Sequence, residues 1–159
     1  MSHWTFPSGS DAETEGLGRL LGEILPPGMV IALNGDPGTG KTGFVRGVAA
    51  GLGTDPGDVS SPTFTLIHEY PGRRTLYHLD TWRLSHPAEF SDLGIDELFA
   101  ADAIVAIEWA DRVESLLPPD RLTIDIEAVG ETTRVFSVTA GGTDSELVLA
   151  AWRSASDSG

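Results

Sequence analysis

The sequence predicts an α/β domain: a mixed, mainly parallel sheet flanked by helices, with antiparallel strands toward the C-terminus. Three observations carry that reading. Met29-Val30-Ile31-Ala32-Leu33 and Ala103-Ile104-Val105-Ala106-Ile107 are short, continuously apolar and rich in branched residues, as strands buried on both faces are. The first run leads into a glycine-rich turn, after which Phe44, Val45, Val48 and Leu52 recur at helical spacing. Near the end, Leu122-Thr123-Ile124-Asp125-Ile126 and Arg134-Val135-Phe136-Ser137-Val138 alternate apolar and polar residues, as antiparallel strands with one wetter face do.

Taken in order, residues 1–10 are polar apart from Trp4 and Phe6 and read as an extended, flexible lead-in. A helix is expected over 11–25, with Leu17, Leu20, Leu21, Ile24 and Leu25 on one face and Asp11 or Thr14 as its cap. Pro26-Pro27-Gly28 stops it. Two strands, 63–70 and 75–79, flank the hairpin-like turn Pro71-Gly72-Arg73-Arg74. A helical, acidic pattern covers 87–100, a short helix 110–117 ends at Pro118-Pro119, and a last helix is expected over 146–152. Residues 154–159 should fray. With 159 residues and no repeat or linker, the chain reads as one domain over 1–159.

Composition narrows the function classes. Ten basic against 24 acidic residues give a net charge of -14, and no basic patch of the kind that grips nucleic acid is visible. Arg73 and Arg74 read as surface ion-pair partners rather than a nucleic-acid footprint. No apolar run of membrane-spanning length and no leader pattern is present. Cysteine is absent, which excludes disulfides and thiolate metal sites and fits a cytoplasmic protein.

The glycine-rich turn carries the chemistry. Gly35-Asp36-Pro37-Gly38-Thr39-Gly40-Lys41-Thr42 fits G-x-x-x-x-G-K-[ST] at every defined position, between a strand and a helix as the motif requires, so the domain reads as a P-loop NTPase. Glycines turn the chain tightly and aim successive N–H groups at one point, where the helix N-terminus adds partial positive charge. Polyphosphate is the natural occupant. Lys41, the only lysine in the chain, supplies a point charge, and the Thr42 hydroxyl takes one Mg²⁺ position. The expected nucleotide contacts are Asp36, Pro37, Gly38, Thr39, Gly40, Lys41, Thr42 and Gly43. Such a site also needs an acid at the end of a neighbouring strand. Asp80 closes Thr75-Leu76-Tyr77-His78-Leu79-Asp80, and Glu108 closes the second apolar run. Asp80, with the shorter reach, is assigned to the Mg²⁺ shell, and Glu108 to metal support or to orienting the attacking water; the reverse assignment stays open. His78 faces the same way as Asp80 and reads as a hydrogen-bonded core residue in preference to a metal ligand.

These segments together resemble the TsaE family, formerly grouped as YjeE, of small bacterial P-loop ATPases. The likeness rests on the phosphate loop followed by Ser61-Pro62-Thr63-Phe64-Thr65, Tyr77-His78-x-Asp80-x-x-Arg83-Leu84, Leu93-Gly94 and Ile107-Glu108-Trp109, in order from about Thr14 to Arg134. The resemblance implies an ATPase, using ATP and Mg²⁺, that supports formation of N6-threonylcarbamoyladenosine on tRNA by a complex of TsaD and TsaB. It would meet tRNA only indirectly, which suits the acidic charge. The resemblance further implies that Lys41, Asp80 and Glu108 serve hydrolysis, that Thr63 lies near the γ-phosphate in a switch-like segment, and that adenine is met by the N-terminal segment holding Phe6, Thr14 and Leu17. Trp82 stands where the family commonly has Tyr, and Gly43 where Thr or Ser often follows. Two rival readings share the loop: a small-molecule kinase, against which the lack of an arginine-bearing lid counts, and a nucleotide-gated binding module with negligible hydrolysis.

Overall fold

The structure, a computed structural model, describes residues 3–35, 40–54, 67–80, 102–108 and 110–158, with only the backbone of Asp80, Asp111, Arg112 and Ser158. Seven strands form one sheet: β1 (His3–Ser8), β2 (Val30–Asn34), β3 (Ile67–Tyr70), β4 (Leu76–Asp80), β5 (Ile104–Glu108), β6 (Leu122–Ala128) and β7 (Arg134–Ala140), in the order β1-β7-β6-β2-β5-β4-β3. β6, β2, β5 and β4 run parallel at the centre, and both margins are antiparallel. The expected mixed sheet is therefore present.

β6 and β7 pair antiparallel as expected, Leu122 opposite Ala140 through Ala128 opposite Arg134. On its other edge β6, though alternating in burial, pairs parallel to β2, Ile31 opposite Leu122 through Asn34 opposite Asp125. Alternation reports that one face is wet; it does not report strand direction. Residues 3–8 likewise form a paired strand with Trp4, Phe6 and Ser8 turned inward, where the sequence offers only a lead-in. The strands expected over 63–70 and 75–79 are described as β3 and β4, with 63–66 outside the described residues; the helical pattern over 87–100 also lies outside them.

One face of the sheet is covered by α1 (Asp11–Ile24), α2 (Lys41–Gly51) and α3 (Thr143–Ser158). Their shared core joins Leu21, Leu25, Phe44, Val48 and Trp152 to Ile31, Leu33, Ile104, Ile124 and Phe136. A smaller core on the other face gathers Val30, Ala32, Leu79, Val105 and Ile107 under a 3₁₀ helix, Ala110–Leu116. Among the described residues no helix is long and apolar enough to cross a membrane.

The helix ends show how side chains set the boundaries. Ser10, not Asp11 or Thr14, caps α1: its Oγ accepts from Glu13 N at 3.1 Å, and the Glu13 carboxylate in turn accepts from Gly9 N. This reciprocal arrangement resembles a capping box. α3 starts three residues before the expected 146–152 because Asp120, reaching from the loop before β6, accepts from Asp144 N and Ser145 N at 3.0 and 2.9 Å, and the helix also continues past Trp152 to Ser158.

α1 and α2 cross on glycine. A Cβ built at Gly18 or Gly22 would lie 2.3 Å from Phe44 O or 2.2 Å from Val48 O, and one at Gly47 or Gly51 would lie 2.1 Å from Glu15 O or 2.2 Å from Arg19 O. Glycine at both spacings of four lets the two backbones touch. The β3–β4 turn then closes the far end of the pair. Arg73 N donates to Leu52 O at 2.7 Å, and the Arg73 guanidinium donates to Gly22 O at 2.9 Å. Arg73 is thus a cap for carbonyls at the C-terminal ends of both helices, a correction to its reading as an ion-pair residue.

Candidate functional site

β2 delivers the chain to the loop and α2 takes it away. Leu33 is fully buried, Asn34 donates through Nδ2 to Asp125 Oδ1 of β6 at 3.1 Å, and the loop starts from that anchored point. The two glycines bounding the loop, Gly35 (φ +149) and Gly40 (φ +95), have backbone conformations that side chains disfavour, which is why the motif needs glycine there. Gly40 is also the N-cap of α2 and offers no capping side chain, so the helix presents its N-terminal N–H groups and partial positive charge toward the loop.

Lys41 is buried, 5 % exposed, and its Nζ donates to Gly35 O at 2.5 Å. The loop's penultimate residue therefore reaches back to its first, holding an ammonium charge against the backbone. Thr42 is exposed on the first turn of α2, and Gly43 beside it has open space where a Cβ would stand. Thr14 is buried under the end of the loop: its Oγ1 lies 2.8 Å from Ser8 Oγ, and its Cγ2 is 3.7 Å from a Cβ built on Gly40. Phe6 belongs to the core, stacked on Phe136 with ring centroids 5.0 Å apart. Asp36, Pro37, Gly38, Thr39, Thr63, Trp82 and Trp109 lie outside the described residues.

The two strand-end acids are neighbours. Parallel pairing sets Asp80 opposite Glu108 and Glu108 opposite Leu33, so both acids occupy the strand ends from which the loop springs. This is where open α/β sheets bind ligands. Glu108 is 5 % exposed, and the His78 ring meets its Oε2 through Nε2 at 2.5 Å. Tyr70 OH approaches the other ring nitrogen, Nδ1, at 3.4 Å. Burial raises the Tyr70 phenol above its ordinary pKa; the Arg46 charge on α2 opposes this and Glu108 adds to it. The sequence placed His78 and Asp80 on one face but gave no sign that His78 meets Glu108.

The oxygen donors here suit Mg²⁺, a hard cation that keeps several waters and borrows phosphate oxygens. Among the described residues no group of three or more His, Asp or Glu side chains gathers around one metal position. The Thr42 hydroxyl lies on the first turn of α2, and Asp80 and Glu108 stand at the ends of adjacent strands, residue types that would supply the one or two protein oxygens such a metal uses.

Comparison with known proteins agrees with this arrangement. The chain is 42 % identical over 137 residues to the tRNA threonylcarbamoyladenosine biosynthesis protein TsaE of Bacillus subtilis, covering 86 % of this chain and 85 % of that protein. It is 40 % identical over 131 residues to the protein of the same description from Treponema pallidum, covering 82 % and 96 %. The fold is similar to a crystal structure of YdiB from Bacillus subtilis, with a TM-score of 0.81 at 33 % identity over 96 % of this chain and 95 % of that one. Residues 8–136 match the family described as threonylcarbamoyl adenosine biosynthesis protein TsaE, a span holding the loop, both acids and the central strands, and the chain belongs to that family.

Proposed function

We propose that this chain is the Mg²⁺-dependent ATPase that supports N6-threonylcarbamoyladenosine formation on tRNA, acting with TsaD and TsaB homologues and meeting tRNA only through them. The observation that carries it is the phosphate loop with Lys41 folded against it, beside register-paired Asp80 and Glu108, in a chain of the TsaE family.

In this reading ATP lies along residues 36–43, with its phosphates facing the N-terminus of α2. Lys41 turns from Gly35 O to the β/γ oxygens and neutralises charge developing there. Thr42 and Asp80 hold Mg²⁺, with Glu108 supporting the metal or orienting water. Bound Mg²⁺ supplies charge neutralisation and alignment of the phosphate oxygens. Thr63 senses the γ-phosphate, and Thr14 walls the site beside Gly40. Phosphoryl transfer depends mainly on positioning and electrostatics, so a partner that completes the alignment accelerates it.

The test is ATP hydrolysis with the TsaD and TsaB complex present. Lys41→Ala and Asp80→Ala should each lose about 100-fold or more, by analogy with removing one preorganised charge-stabilising group. Wild-type rates in either would sink the assignment. A phosphorylated acceptor in place of free phosphate would instead establish the kinase reading.

A further inference from the structure

β3, β4 and β5 bring a second set of polar side chains to the sheet face that α2 covers. Tyr70, His78 and Glu108 are 6 %, 5 % and 5 % exposed, and they stand in a row: Tyr70 OH to His78 Nδ1 at 3.4 Å, then His78 Nε2 to Glu108 Oε2 at 2.5 Å. The geometry arises from register. His78 pairs with Ala106, so Glu108 lies two residues further along the neighbouring strand on the same face. His68, directly across from His78 on β3, sets its ring perpendicular at 5.8 Å and borders the imidazole on that side.

A carboxylate only accepts hydrogen bonds, so His78 Nε2–H donates to Glu108; in the neutral ring Nδ1 is then the acceptor, and the Tyr70 hydroxyl donates to it. A buried polar row of this kind adds little stability over apolar residues of similar volume. What it does supply is orientation, since a carboxylate gripped at one oxygen loses rotational freedom. We propose that His78 is a positioning residue for Glu108, holding its carboxylate in the direction that hydrolysis requires, with Tyr70 fixing the imidazole tautomer. The proposal rests on the assignment of Glu108 given above.

Two variants separate position from fold. His78→Leu removes the donor, whereas the amide of His78→Gln reaches nearly as far as Nε2 and restores one. With the partner complex present, His78→Leu should lower kcat about 10- to 100-fold, the usual cost of losing an orienting neighbour. KM for ATP should stay within about 3-fold, and His78→Gln should recover most of kcat. In a Glu108→Gln background, His78→Leu should cost less than about 2-fold more, because the two act through one group. Full kcat in His78→Leu, or equal losses in both variants, overturns the proposal. A Glu108→Gln protein that hydrolyses ATP at the wild-type rate overturns the Glu108 assignment itself. A slow Glu108→Gln beside a fast His78→Leu removes only the role of His78. Two readouts need no turnover. Fluorescent ADP should bind the isolated His78→Gln protein within about 3-fold of wild type, consistent with an intact site; loss of binding there would make the lesion one of folding and overturn the positioning role. Nitrogen-15 spectra of the wild-type ring should show the proton on Nε2, and an Nε2 without a proton would overturn the proposal as well.

Discussion

Gly47 on α2 lies against Glu15 on α1 so closely that an added methyl would come within 2.1 Å of the Glu15 carbonyl oxygen. The obstacle is backbone, which no rotamer change relieves. Gly47→Ala should therefore lower unfolding free energy by about 1–3 kcal/mol, the usual range for overpacking. Gly16, one residue further along α1, has nothing within 4 Å of the same position, and Gly16→Ala should raise stability by up to about 1 kcal/mol through helix propensity alone. Urea denaturation of the two variants should give shifts of opposite sign.

Arg73 closes the other end of the same helix pair. Its guanidinium serves Gly22 O at 2.9 Å and Glu23 O at 3.4 Å, and α1 has no basic residue in its own last turn. Arg73→Ala should cost about 1 kcal/mol, the scale of one net hydrogen bond. The Arg73 N–H bond to Leu52 O survives the change, so thermal unfolding should remain a single transition.

Asp120 makes the start of α3 sensitive to acid. The Ser145 hydroxyl, and then the backbone N–H groups of Ser145 and Asp144, hold its carboxyl below the ordinary value of 3.8, against a smaller opposing effect of burial. A carboxyl whose folded pKa is depressed contributes stability in full above its unfolded value and loses it as pH falls through the folded one. Asp120→Asn should consequently be less stable than wild type at pH 7, and the gap should narrow below about pH 3.8. Denaturant titrations at stepped pH measure it; a gap that widens in acid would contradict the cause given.

Thr42 is exposed on the first turn of α2, where its side chain can be removed without opening a cavity. Thr42→Ala should leave stability within about 0.5 kcal/mol of wild type, as surface changes do. Its effect should fall on the metal. The Mg²⁺ concentration giving half-maximal hydrolysis should rise about 10-fold or more, whereas Thr42→Ser should stay close to wild type.

The centre of this fold is legible because its information is local. Continuous apolar runs report strands covered on both faces, and β2 and β5 are such strands; the phosphate loop reports itself through glycines that need positive φ. What escapes a linear reading depends on distance. His78 and Glu108 are thirty residues apart and meet only through the register of β4 with β5. Arg73 looks like any exposed arginine until the turn carrying it is folded beneath two helix ends. The glycines of α1 and α2 were present at spacings of four, yet glycine signals a turn as readily as a close crossing. β1 was legible in principle, since Trp4, Phe6 and Ser8 alternate with exposed residues, but Pro7 and the short run obscured it.

The first strand and the last helix meet in one aromatic cluster. Trp4 and Phe6 contact the Trp152 ring edge-on at 5.2 and 5.5 Å, and Trp152 Nε1 donates to Leu17 O at 3.0 Å. A growing chain exposes Trp4 and Phe6 early; their partner strand β7, with Phe136, comes only at residues 134–140, and the cluster closes only when residue 152 has left the ribosome. The parallel sheet can begin to assemble before then, but its helical face stays unsealed. Folding of this sheet therefore finishes only after residue 152 has emerged, and until β7 arrives Trp4 and Phe6 lie open to chaperones.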